Sequence, residues 1–162
     1  MKKHKRIILV GPSAAGKNHI RDVFVKKGYR ADVSYTSRAP RENEKDGVDY
    51  HFISEKDFQE RIFDGLFYEW VKYGNNYYGT GRYEWENADI FIMETDGVKA
   101  IYPVDRGDCL IIYVNTPFDT RLKRMRERGW IDEKISDRVR VDQQKFANFN
   151  DYDLQIGSEI HI

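Results

Sequence analysis

The run Gly11-Pro12-Ser13-Ala14-Ala15-Gly16-Lys17-Asn18 directly follows the apolar stretch Ile7-Ile8-Leu9-Val10, and no other feature restricts the fold of this chain as much. Glycines at both ends let the backbone curl until successive N–H groups point inward, and a helix starting near Lys17 would add the positive end of its dipole. The expected result is an anion cradle between a strand and a helix. Lys17 would serve there as a mobile charge for the outer phosphates of a nucleoside triphosphate. The spacing G-x-x-x-x-G-K is that of a phosphate-binding loop, but Asn18 stands where a hydroxyl residue is usual. Its amide oxygen is a neutral donor for Mg²⁺ on a longer stem. The plain alternative is a glycine-bearing turn with a solvated lysine. Against it stand the strand-like run before the loop and the helical spacing of Ile20, Val23, Phe24 and Lys27 after it, ending at Gly28.

The chain has 162 residues, enough for one substantial core, and its 27 basic residues balance 27 acidic ones, which argues against wholesale polyanion binding. The single cysteine, Cys109, excludes an intramolecular disulfide and sits in the apolar run Cys109 to Val114, as expected of a small core residue in a reducing compartment. The basic start Met1 to Arg6 leads into too short an apolar run for a secretory signal, and no later segment has the length to span a membrane. A cytoplasmic location is the expectation.

Apolar runs alternate with helical patterns. Strands are expected at Arg6 to Val10, Asp89 to Met93, Cys109 to Val114 and Asp153 to Ile156, and helices near Lys17 to Lys27, Gly97 to Tyr102 and Pro117 to Arg128. Such alternation favours a parallel sheet flanked by helices, an α/β fold. A different texture lies between the first two strands. Asp49 to Ile53 alternates, Ser54 opens a helix with Asp57 three residues on, and Gly65 stops it. Phe67 to Tyr73 and Tyr77 to Gly79 then flank Gly74-Asn75-Asn76, a hairpin signal. A small mixed α/β lobe is therefore expected at about 33–81, inserted into a single domain whose core spans 1–32 and 82–162.

The segments Ser34-Tyr35-Thr36-Ser37-Arg38-Ala39-Pro40-Arg41 and Gly47-Val48-Asp49-Tyr50-His51-Phe52 resemble the substrate-lobe signature of guanylate kinases. Phe67-Tyr68-Glu69-Trp70 and Asn76-Tyr77-Tyr78-Gly79-Thr80 follow in that family's order, and Arg124 to Gly129 resembles its arginine-rich lid, expected over about 121–145. The resemblance covers about residues 5 to 156.

Chemistry explains the combination. Arg38 and Arg41 can donate several N–H bonds to a monophosphate dianion, with the hydroxyls of Tyr50 and Tyr78 completing its shell. Guanine presents N1–H and a 2-amino group side by side, and an ionised carboxylate at Glu69 can accept both, a donor pair that adenine lacks. The resemblance implies Asp96 as a second acceptor and Ser34 and Thr80 as hydroxyl partners of the base. Taken singly these residues have plainer readings: solvated arginines, core-edge tyrosines, the polar side of a strand. Their joint order favours the site.

Glu94 ends the apolar run Asp89 to Met93, where nucleotide enzymes of this architecture hold Mg²⁺ or its waters. With Asn18 it is the candidate metal position, directly or through water. Arg121, Lys123, Arg124, Arg126 and Arg128 crowd one expected helix opposed by Glu127, and Arg138 lies on another. The resemblance assigns Arg124, Arg128 and Arg138, with Lys17, to catalysis, while Lys123 and Arg126 read as solvated. The whole loop, Gly11 to Asn18, is the ATP-binding candidate.

The resemblance thus implies transfer of the terminal phosphoryl of ATP to GMP, giving ADP and GDP, with Mg²⁺ accompanying ATP and small nucleotides, not nucleic acid or membrane, as partners. The alternative is a degenerate module that binds GMP or protein without turnover. Asn18 favours it, as does a chain end six residues after Ile156, where the family normally continues.

Overall fold

The computed structural model describes residues 5–157; positions 1–4, which begin the basic start, and 158–162 lie outside them. The described chain forms two units, one from the segments 5–29 and 90–157 and one from Arg30–Asp89.

In the first unit, β1 (Arg6–Val10) lies between β6 (Ile90–Ile92) and β7 (Cys109–Val114), and β8 (Leu154–Ile156) joins β7, all in parallel. Every residue of β1 is buried, as a central strand covered on both faces requires. The loop after β1 leads into α1 (Lys17–Lys26), which buries Ile20 and stops before Gly28 at φ 96°. The expected helix over 97–102 is instead two short ones, α4 (Thr95–Lys99) and α5 (Pro103–Arg106). Pro103 stands in the first turn of α5, where its missing N–H costs no intrahelical bond. Two longer helices follow, α6 (Phe118–Glu127) and α7 (Asp132–Phe146). Met125 of α6 and Ile135 of α7 are buried against Ala14 of the loop, so an apolar contact holds both helices to that loop. The far end of α7 is fixed by rings: Phe146 stacks on Tyr113 of β7 at 5.3 Å, with Phe149 and Tyr152 against the same tyrosine. Cys109 is buried with a free thiol, and burial pushes its pKa up to about 11. No described helix is long and apolar enough to cross a membrane.

The second unit is a four-stranded sheet in the order β3-β2-β5-β4, with β2 (Tyr35–Thr36), β3 (His51–Phe52), β4 (Phe67–Tyr73) and β5 (Asn76–Gly81). The hairpin expectation is met, with Gly74 supplying a φ of 59° at the turn. Helix α2 (Glu55–Phe63) starts where Ser54 Oγ accepts the Asp57 N–H at 3.0 Å and ends before Gly65 at φ 68°. Its Phe58 is fully buried, stacked on Phe67 at 4.4 Å and Tyr77 at 5.2 Å. Burial of such a ring contributes about 2–3 kcal/mol. Gly79 lies under this stack, where a Cβ would come within 3.0 Å of Phe67 and 3.1 Å of Phe58. Helix α3 (Arg82–Asn87), which no pattern announced, buries Trp85 beneath Tyr68 with ring centroids 3.9 Å apart. The unit is clasped at its ends: the Asp89 N–H donates to Arg30 O at 2.7 Å, and the Arg30 N–H to Asp89 Oδ2 at 2.8 Å.

Candidate functional site

The loop of the first unit is a tight turn that depends on its glycines and lies against β7. A Cβ on Gly11 would lie 2.5 Å from the carbonyl oxygen of Val114, so only glycine lets the loop lie this close to β7. Gly16 adopts φ 99°, and Ala14 is the one described non-glycine residue at positive φ, 61°. That alanine is strained by about 1–2 kcal/mol. Thr116 Oγ1 donates to Ala15 O at 2.6 Å and holds the loop from below.

Side chains converge on this loop from α6 and α7. Arg124 Nη1 donates to Ala14 O at 3.0 Å, and Arg138 Nε donates to Ser13 Oγ. Lys17 turns back onto its own loop, donating to Gly11 O and, at 3.3 Å, to Pro12 O. Asp142, buried on α7 one turn after Arg138, accepts the Ser13 N–H at 3.0 Å and faces Arg138 Nε at 3.5 Å. Glu94 meets cations: Lys145 Nζ at 3.2 Å and Arg138 Nη2 at 3.7 Å. Burial works to raise its pKa, but Lys17, Lys145 and Arg138 outweigh it and hold the carboxyl below its usual range. Burial lowers the pKa of Lys17, with Glu94 opposing the shift.

The remaining candidates of this unit lie at the surface. Asn18 is exposed in the first turn of α1, Asp96 is exposed in the first turn of α4, and Arg128 is exposed at the C-terminal cap of α6. Lys123 and Arg126 are exposed as well, the former 3.9 Å from Glu127. Among the described residues no three His, Cys, Asp or Glu side chains gather to hold a metal. The candidates for a divalent ion in this unit are one carboxylate, Glu94 at the start of α4, and one amide oxygen, Asn18 in α1. That donor set fits Mg²⁺ arriving with a triphosphate, an ion that keeps several waters and takes one or two protein ligands.

In the second unit the register explains which side chains share a face. Tyr35 pairs with Gly79 and His51, and Glu69 pairs with Thr80. Extending the ladder by one residue sets Tyr50, Ser34, Thr80 and Glu69 in a row across the sheet. Tyr35, Tyr77, Phe67 and Trp70 point to the opposite side, where their rings contact one another or Phe58. Simple alternation would put Glu69 with Phe67. A bulge between Phe67 and Glu69 breaks the alternation and turns Glu69 to the polar face.

Glu69 is buried there, 8% exposed, accepting Thr80 Oγ1 at 2.7 Å. Burial pushes its pKa up to about 7 against hydrogen bonds from Thr80. Farther along the same face, the rings of Tyr50 and Tyr78 lie 6.2 Å apart, with Arg38 5.4 Å from the Tyr50 ring centroid. Glu44 neutralises Arg38 through two bonds, 2.8 and 3.0 Å, and also accepts the Arg41 N–H at 2.8 Å. The Arg38 bond holds the Glu44 carboxyl below its usual range, with burial opposing. Arg41 itself is exposed. Ser34 Oγ donates to Asp32 Oδ2 at 2.6 Å.

Asp32, Glu44, Thr116, Asp142 and Lys145 were not singled out from sequence. The spacing of Arg138 and Asp142, four apart on one helix, was the available signal for one of them; the others are partners through the fold and leave no local pattern.

A description of the guanylate kinase family matches residues 3–159. The guanylate kinase of Malacoplasma penetrans is 34% identical over 96% of this chain and 85% of its own, and that of Idiomarina loihiensis 32% identical over 94% and 78%. The crystal structure of guanylate kinase from Anaplasma phagocytophilum superimposes with a TM-score of 0.75 at 20% identity, over 96% of this chain and 77% of that one, which shows the α/β fold. The chain belongs to the guanylate kinase family.

Proposed function

We propose that the chain transfers the terminal phosphoryl group of ATP to GMP, giving ADP and GDP. The observation that carries this reading is the buried carboxylate of Glu69 beside Thr80, turned by a bulge onto a polar face that also bears Tyr50, Tyr78 and Arg38. Family membership supports it.

In this reading the loop N–H groups and Lys17 hold the donor phosphates. Lys17 must exchange the carbonyls of Gly11 and Pro12 for phosphate oxygens, and Asp142 must release the Ser13 N–H or share it. Arg124 and Arg138 already rest on the loop, and with Arg128 they stabilise charge on the transferring group. Arg38, Arg41, Tyr50 and Tyr78 take the GMP phosphate, which replaces Glu44 as the partner of Arg38. Glu69 accepts N1–H and the 2-amino group, Ser34 and Thr80 border the base, and the family resemblance adds Asp96 as an acceptor for the 2-amino group. Mg²⁺ with ATP supplies charge neutralisation on the phosphates, and Glu94 and Asn18 are the residues to hold it, directly or through water. No protein base is needed, because the acceptor is already an anion and positioning does most of the work. The lone buried thiol of Cys109 accords with a reducing cytoplasmic setting.

A module without turnover is favoured by Asn18 alone in the loop, whereas Lys17, Arg124 and Arg138, all in contact with it, speak for turnover. The test is a coupled assay of ADP release. Turnover with GMP far above AMP is expected, and equal rates with the two would overturn the guanine assignment.

A further inference from the structure

Arg138, Asp142 and Lys145 recur along α7 at intervals of four and three and so share one face of the helix. That face meets the loop and Glu94, while Gln143 and Gln144 between them are exposed. The reaction above gives a task to Arg138 but none to the carboxylate of Asp142, which is 4% exposed. A buried charge is costly unless it is paired and hydrogen-bonded, and here both oxygens are engaged. Oδ2 accepts the Ser13 N–H at 3.0 Å, and Oδ1 faces Arg138 Nε at 3.5 Å. Arg138 Nε donates in turn to Ser13 Oγ. Ser13, Asp142 and Arg138 thus form a closed ring that joins the loop to the Nε edge of the guanidinium.

The other end of Arg138 lies toward Glu94, with Nη2 3.7 Å from Oε1, and Lys145 Nζ meets the second oxygen of Glu94 at 3.2 Å. Glu94 is also a candidate ligand of the ion, so Asp142 is the carboxylate able to stay with Arg138 while a nucleotide is bound. A guanidinium is planar, and fixing its Nε edge also fixes the direction of its terminal nitrogens. An unrestrained arginine has large rotamer freedom, which it must give up to engage a transferring group.

We propose that Asp142 is a positioning residue that ties Arg138 to Ser13 and so presets this arginine for the transferring phosphoryl group before a nucleotide arrives. The proposal rests on reading Arg138 as a catalytic residue of the phosphoryl transfer. Asp142 then shares the Ser13 N–H with the nucleotide and does not release it. Its negative charge also opposes phosphate, and orientation outweighs that cost if kcat falls on its removal.

The experiment is steady-state kinetics with ATP and GMP on the wild type, Asp142→Ala, Arg138→Ala and the double variant, the last two also with millimolar guanidinium ion. Turnover of GMP by the wild type reads the proposed function, and its absence overturns that function and this proposal together. In Asp142→Ala kcat falls about tenfold, the scale of freezing one long side chain, at unchanged KM for GMP. Arg138→Ala loses more, and Asp142→Ala added to it costs nothing further, because no arginine is left to position. Guanidinium ion, held by the vacated carboxylate, restores part of the turnover of Arg138→Ala and none of that of the double variant. If Asp142→Ala fails to fold, Asp142→Asn, which keeps the shape without the charge, takes its place in the rescue. A kcat within twofold of wild type or above it in a folded Asp142→Ala, additive losses in the double variant, or rescue that does not differ with and without the carboxylate overturns the proposal.

Discussion

Glu94 in the first unit and Glu69 in the second are both glutamates beside sheet strands, and their surroundings push them in opposite directions. Glu94 faces Lys145 and Arg138 and is held ionised, whereas Glu69 meets a threonine and is pushed up to about 7 by burial. In the first unit carboxylates pair with cations, Glu94 with Lys145 and Arg138 and Asp142 with Arg138, and on the proposed reading those cations serve phosphate. The second unit holds a desolvated carboxylate that, on the same reading, serves N–H donors of a base. One residue type thus serves two kinds of recognition, and the choice is made by what the fold places beside it.

The largest expected effect tests the separation directly. Lys17→Ala should lower turnover by about a hundred- to a thousandfold, as loss of one preorganised charge at the reacting group does, while GMP binding measured by calorimetry stays within about twofold of wild type. A comparable loss of GMP affinity would mean that the two recognition tasks are not separate. Glu69→Ala should act in reverse: about 3 kcal/mol of GMP binding is lost, roughly a hundredfold, with the affinity for an ATP analogue unchanged.

Next in size is the acid response. Glu69 binds its proton more tightly folded than unfolded, so its contribution to stability is present at low pH and declines as pH rises from about 4.5 through about 7. Glu94 has the opposite sign, contributing stability at neutral pH that is lost on acidification. Unfolding measured at pH 5 and pH 8 should therefore show Glu69→Gln removing about 1–3 kcal/mol of decline toward high pH. Glu94→Gln, compared between pH 5 and pH 3, should instead remove part of the loss toward low pH. Equal slopes for the two variants would break the contrast.

Smaller effects come from the backbone devices of each unit. Gly79→Ala forces a methyl against Phe67 and Phe58 and should destabilise by about 1–3 kcal/mol in thermal unfolding. Ala14→Gly should relieve the positive φ and raise the melting temperature by about 2–4 °C, equivalent to about 1 kcal/mol. A lower melting temperature would show that Ala14 contributes more through its contact with Met125 and Ile135 than it loses in strain.

How much of this was legible in the sequence follows the range of the interactions. β1, α1, the Ser54 cap and the Gly74 hairpin are set within a few residues, and their signals were read with boundaries shifted by a residue or two. The first unit's split of α4 from α5 follows from Pro103, a local signal that the apolar spacing masked. β2 is two residues long and α3 six, too short for any periodicity to stand out. In the site, the charged residues were visible as types. The bulge that turns Glu69, the Glu44 partner of Arg38, the Asp142 partner of the loop and the Lys145 partner of Glu94 were not, because each depends on strands or helices brought together by the fold.

The most direct measurement is ADP release with GMP or AMP as acceptor, in wild type and in Glu69→Gln, at pH 8, where the carboxyl is ionised. The account predicts a strong preference for GMP that collapses in the variant through a raised KM, while the slow reaction with AMP is unaffected. Undiminished preference for GMP in Glu69→Gln would contradict it.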